Sequence, residues 1–98
     1  MAEEGTTPML LRELVGETLR EERVQQGRTL REVSGLARVS LGYLSEVGRG
    51  QKEASSELLA AICGSLELPM SQLLSTVSGK LTIAERPVQP VREVRAAA

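Results

Sequence analysis

The stretch Thr29 to Gly50, TLREVSGLARVSLGYLSEVGRG, constrains the fold of this chain more than any other feature. It reads as two short helices separated by a tight turn. Thr29 supplies a side-chain oxygen to cap the first helix, and Glu32, three residues on, completes a capping box. Val33 and Ala37 lie four apart on one face, and Leu44 and Val47 lie three apart on another. Between the faces sits Arg38-Val39-Ser40: a turn residue, an apolar plug and a second N-cap. Gly50 supplies the left-handed-tolerant residue that ends the second helix. Two helices joined in this way form a helix-turn-helix unit, whose second helix fits a DNA major groove.

A chain of 98 residues makes one small domain with a modest core. Its one aromatic residue is Tyr43, so the core must be built from Leu, Val, Ile, Ala and Met. That palette favours helix packing over a β-sandwich, and an all-α fold is expected. One cysteine and no histidine exclude an internal disulfide framework and a Cys/His zinc site. No apolar run approaches the length of a membrane span, and the acidic start MAEEGTTP is not a signal peptide. A soluble cytoplasmic protein with no membrane, metal or cofactor partner is expected.

Net charge is −1, but it is unevenly spread. Residues 1–27 hold six acids against three arginines. Residues 28–52 carry Arg28, Arg31, Arg38, Arg49 and Lys52 against only Glu32 and Glu46. A basic patch in an otherwise acidic chain suits phosphate contact, and its modest excess calls for two copies of the patch.

Residues 1–7 read as a disordered N-terminus. Thr7-Pro8 reads as a cap followed by proline at the first helical position, opening a helix that runs to about Gln25 and stops at Gly27. Leu11, Val15 and Leu19 point inward at four-residue spacing. After the helix-turn-helix, Ser55-Ser56 caps a fourth helix with Leu58, Leu59, Ile62, Cys63 and Leu66 on its apolar side. Pro69 opens a short fifth helix holding Leu73, Leu74 and Val77. The domain spans 8–78. From Gly79, KLTIAERPVQPVREVRAAA reads as a flexible tail over 79–98, with a strand at Leu81–Ile83 as its one candidate element.

Residues 15–75 resemble the Cro/C1-type (XRE-like) DNA-binding domain. Gly16, Leu19, Arg20, Arg23, Gly27, Thr29, Val33, Val39, Ser40, Leu44, Val47, Arg49 and Gly50 carry the likeness. Leu58, Ile62, Leu66 and Leu73-Leu74 complete it. The runs TLREVSGLARVSLGYLSEV and KEASSELLAAIC are similar to the actinobacterial Clp-gene regulator (ClgR-type) subfamily. The resemblance implies a five-helix, lambda-repressor-like fold and an activator of Clp protease and proteostasis genes. Two positions depart from the family pattern. Gly48 stands where the family has a glutamate paired with the arginine at Arg23, leaving Glu46, Glu22, water or plain exposure for Arg23. Arg38 stands where many relatives have a turn glycine, at a backbone cost of roughly 1–2 kcal/mol.

Candidate DNA contacts follow. Leu41, Gly42 and Tyr43 open the recognition helix, with Leu41 and the Tyr43 ring suited to a thymine methyl. The competing reading of Tyr43 is packing over the turn. Glu46 suits a cytosine amino group, or else a solvated position. Arg49, Gln51 and Lys52 follow the helix where relatives hold phosphates, and Arg28, Arg31 and Arg38 add charge. Thr29 and Ser40 are caps first. Cys63 reads as a small buried hydrophobe. No catalytic constellation is present, so an enzyme is not expected.

The expected protein is therefore a homodimeric regulator binding a pseudo-palindromic operator in double-stranded DNA. Dimer contacts are expected from Leu73, Leu74, Val77, Leu81 and Ile83. An activator implies RNA polymerase as a partner. Ala96, Ala97 and Ala98 resemble an alanine-ended tag read by Clp protease; an ordinary ragged terminus is the alternative. An antitoxin-like protein or a protein-binding adaptor on the same fold are the rival functions.

Overall fold

A computed structural model describes residues 10–86. They form five helices in chain order: α1 (Leu11–Gln25), α2 (Leu30–Ala37), α3 (Leu41–Gly48), α4 (Ser56–Ser65) and α5 (Met70–Ala84). The expected all-α architecture with the helix-turn-helix as its second and third helices is what the chain adopts.

The capping chemistry works as the residue types imply. Glu32 N–H donates to Thr29 Oγ1 at 3.0 Å, and Thr29 N–H donates to the Glu32 carboxylate at 2.8 Å. Ser40 and Ser55 accept from Tyr43 N–H at 3.0 Å and Leu58 N–H at 3.2 Å. Each satisfies an otherwise orphaned helix N–H. The start of the first helix differs from expectation. Thr7-Pro8 lies outside the described residues, and within them Leu10 is extended, with φ −75° and ψ 153°. Its N–H donates to Glu13 Oε1 at 2.8 Å, the glutamate half of a capping box, while Leu10 has no side-chain oxygen to supply the other half.

Leu14 and Leu19 of α1, Val33 and Ala37 of α2, and Leu44 and Val47 of α3 meet in one core. Ile62, Cys63, Leu66, Leu68, Leu73 and Val77 fill the rest. Two glycines set the spacing between α1 and the segment around α3. A Cβ at Gly16 would collide with the Val47 carbonyl oxygen, so the two backbones touch where α1 crosses α3. Gly50 has φ +73°, and a Cβ there would lie 2.9 Å from Glu13 Cα. Only glycine meets both demands.

The fifth helix corrects the expected tail. It passes through Gly79 and continues to Ala84, so Leu81–Ile83 is helical and no strand forms there. The physical reason lies across the bundle. Lys80 Nζ bridges Glu21 at 2.8 Å and Glu17 at 3.3 Å, and Leu81 packs half-buried against the core. These contacts work against the roughly 1 kcal/mol that a mid-helix glycine costs. The helix ends at Ala84, shortly before Arg86, whose helical backbone the following Pro87 disfavours. Among the described residues no single helix is long and apolar enough to cross a membrane.

Candidate nucleic-acid interface

The turn between α2 and α3 is built from backbone demands. Arg38 adopts φ 60° and ψ 43°, the left-handed conformation expected at this position. Val39 N–H donates to Ser34 O at 3.1 Å, and Ser34 Oγ donates to Val39 O at 2.7 Å. Ser34 thus staples both sides of the turn, a role the residue pattern did not reveal. The half-buried Val39 side chain plugs the angle between the helices.

α3 buries Leu44 and Val47 and turns its opposite side outward. Gly42, Glu46 and Arg49 recur at four and three residues, so they share one stripe of the helix surface. Leu41 lies at the exposed N-terminal end. Tyr43 is in phase with Val47 instead. Its ring is half-buried, and its hydroxyl stands 3.4 Å from the Glu53 carbonyl oxygen. The packing alternative for Tyr43 is thus part of its geometry, and the hydroxyl props the loop that follows α3.

That loop carries the cations. Arg49 donates to Ser45 Oγ and, at 3.3 Å, to Gln51 Oε1. Lys52 Nζ lies 3.9 Å from Glu46 Oε1, a solvated pair that yields readily to a stronger anion. Arg12, absent from the sequence-based candidates, fixes the loop from behind. Its Nε donates to Gly50 O at 3.0 Å, and its guanidinium stands 3.8 Å from Glu53. No local signal marks a contact between residues so far apart in the chain.

Arg31, Arg38, Arg49 and Lys52 are exposed, together with Thr29, Ser40 and Gln51. Arg28 is placed differently. It is half-buried and donates to Ser65 O at 3.0 Å, bracing the end of α4. Arg23, left without its family glutamate, donates to the Arg28 carbonyl at 2.8 Å. A backbone oxygen takes the place of the missing acid.

The dimer candidates divide by burial. Leu73 is 0% exposed and Val77 3%, so both are consumed by the core and unavailable to a partner. Leu74 and Ile83 are 52% and 64% exposed, and Leu81 is half-buried. Cys63 is 3% exposed, and burial pushes its thiol pKa above the ordinary value. Ala96, Ala97 and Ala98 lie outside the described residues. Among those described, no group of three His, Cys, Asp or Glu side chains could hold a metal ion.

A helix-turn-helix family profile matches residues 19–73. The transcriptional regulator ClgR of Mycobacterium tuberculosis is 60% identical over 77 residues, covering 79% of this chain and 69% of that protein. The chain belongs to the ClgR-type helix-turn-helix transcriptional regulators. The crystal structure of the clp gene regulator ClgR from Corynebacterium glutamicum superposes with a TM-score of 0.75 at 42% identity. That match covers 93% of this chain and 92% of the other. The restriction-modification controller protein C.AhdI of Aeromonas hydrophila shares the fold alone, at 24% identity and a TM-score of 0.61 over 63% of this chain and 94% of its own. Membership in this ClgR-type family makes the chain a DNA-binding transcription regulator and not an enzyme.

Proposed function

We propose that this regulator activates Clp protease and related proteostasis genes by binding a pseudo-palindromic operator as a homodimer. The observation that carries the reading is the near full-length likeness to a protein that is itself a clp gene regulator. The exposed surface of α3 supports it. Leu41, Gly42 and Glu46 face outward for base edges, while Arg31, Arg38, Arg49, Gln51 and Lys52 flank them for phosphates. Thr29 and Ser40 keep their capping bonds and add hydroxyls near the backbone. Arg28, tied to Ser65, contributes long-range charge more than contact. As an activator the bound dimer would present its outer surface to RNA polymerase, and it would work in the bacterial cytoplasm where the DNA is.

The test is genome-wide mapping of bound sites in the source cell, with transcript levels in a strain lacking the protein. Sites upstream of Clp protease genes, with reduced transcripts in the deletion strain, are expected. Bound promoters that exclude those genes, or rise on deletion, overturn the activator reading. A flat DNA titration at low salt would favour a protein-binding adaptor, and a small protein co-purifying in fixed ratio would favour an antitoxin.

A further inference from the structure

Beyond Val77, α5 has little to rest on. Of residues 78–84 only Lys80 and Leu81 are half-buried, and the others are exposed. Gly79 sits among them, and a Cβ there would meet nothing within 4 Å, so packing does not call for glycine at that position. An unpacked helix end with a glycine at its base frays readily, since most helical stability in a protein comes from tertiary contact. Lys80 supplies that contact. Its Nζ stands 2.8 Å from Glu21 and 3.3 Å from Glu17 on α1, and its side chain is only 23% exposed.

The clasp is a three-charge unit rather than a simple pair. Glu17 and Glu21 lie four apart on one face of α1, where two like charges repel. One ammonium between them answers both, and no other cation among the described residues forms an ion pair with either acid. The consequence reaches another side of α5. Leu74 and Leu81 are seven residues apart and share one side of the helix, and Leu81 is the one that follows Gly79. Its place beside Leu74 therefore depends on residues 78–84 staying helical and held to α1.

We propose that Lys80 is a positioning residue for self-association: its clasp on Glu17 and Glu21 holds the second half of α5 against α1 and keeps Leu81 beside Leu74 for the partner protomer. This role rests on the homodimer reading. It makes self-association sensitive to ionic strength although the side chains that meet are apolar. Each protomer brings one clasp, so an effect of about threefold per chain becomes about tenfold in the dimer constant.

Sedimentation equilibrium of the whole chain tests this role, with Lys80→Gln as the variant because glutamine matches lysine in helix propensity. Lys80→Gln should raise the dimer dissociation constant by about threefold to tenfold and lower helical circular dichroism. In the wild-type chain, raising sodium chloride from about 0.05 M to about 0.5 M should weaken the dimer severalfold, because salt screens partly exposed ion pairs. In Lys80→Gln that salt response should be largely gone. Lys80→Glu should dimerise more weakly still, and adding Glu21→Lys to it should recover most of the loss. Unchanged self-association in Lys80→Gln, an equal salt response in the two proteins, or no recovery on charge exchange would each overturn the role. A wild-type chain that stays monomeric at every concentration would overturn the homodimer reading as well, whereas a dimer indifferent to Lys80 leaves that reading standing.

Discussion

Gly16 and Gly48 flank the same α1–α3 contact, yet substituting them has opposite consequences. Helix propensity alone favours alanine over glycine by about 1 kcal/mol at either site. At Gly16 the added methyl would strike the Val47 carbonyl, and a backbone cannot step aside cheaply. Gly16→Ala should therefore lose roughly 1–3 kcal/mol in urea unfolding, the overpacking cost exceeding the propensity gain. Gly48→Ala enters open space and should gain up to about 1 kcal/mol. A stabilised Gly16→Ala would mean the two helices are further apart than described. Residue chemistry also separates the two kinds of DNA contact proposed for α3 and its following loop. Arg49→Ala should weaken binding to all sequences alike and reduce the salt slope by about one per protomer. Leu41→Ala should relax preference at one operator position, leaving the slope alone. Cys63 adds a pH effect of defined sign. Its thiol pKa is raised in the folded state by burial, so the protonated form favours folding. That stability is present below the ordinary thiol range and is lost as pH rises through the higher folded value. Melting temperature should therefore fall with pH above that range, and Cys63→Ala, though destabilised, should show a shallower fall.

At the scale of elements, the sequence is legible where a signal is local. The Thr29–Glu32 box, the Ser40 and Ser55 caps, the left-handed Arg38 and the Gly50 terminus all act through neighbours within a few positions. Periodicity likewise places Val33, Ala37, Leu44, Val47 and Ile62 in the core, but on α1 it errs at Leu11, which is 60% exposed, while Leu14 is buried. What was not legible depends on distant residues. The length of α5 was hidden because Gly79 looks like a terminator, whereas Lys80 is anchored by Glu17 and Glu21 on α1. The roles of Arg12 and Arg28 were hidden for the same reason, since their acceptors lie 38 and 37 residues away. Burial of Leu73 and Val77 shows that an apolar helix cannot be divided between core and interface from composition alone. The continuity of α5 has a direct consequence. Nothing lies within 4 Å of a Cβ at Gly79, so Gly79→Ala should stabilise the domain by about 0.5–1 kcal/mol and raise helical circular dichroism. A loss of stability would mean that the helix breaks there in solution.

On the proposed reading, a single copy of this domain would present one recognition helix of eight residues, too small a reading head for a specific operator. Two copies would place their α3 helices in successive major grooves if held roughly 34–36 Å apart. The element best placed to hold them is α5, whose buried side is already occupied by Leu73 and Val77. Its free surface is not one apolar stripe. Leu74 and Leu81 are seven residues apart and nearly in phase at about 100° per residue. Ile83, nine residues from Leu74, falls almost on the opposite side of a straight helix. For the proposed homodimer, a two-fold contact through α5 would use the Leu74 side, with the exposed edge of Leu81 beside it, and would leave Ile83 outside it. Leu74→Asp puts a charge at the centre of that contact while leaving the core intact, because Leu74 is half exposed in the single chain. It should shift the protein to monomer in sedimentation and lower full-operator affinity at least about tenfold. Binding to an isolated half-site should stay as it was, since α3 is untouched. Ile83→Asp should change neither measurement. Retention of the dimer in Leu74→Asp, or its loss in Ile83→Asp, would place the symmetry axis on a different face of the molecule.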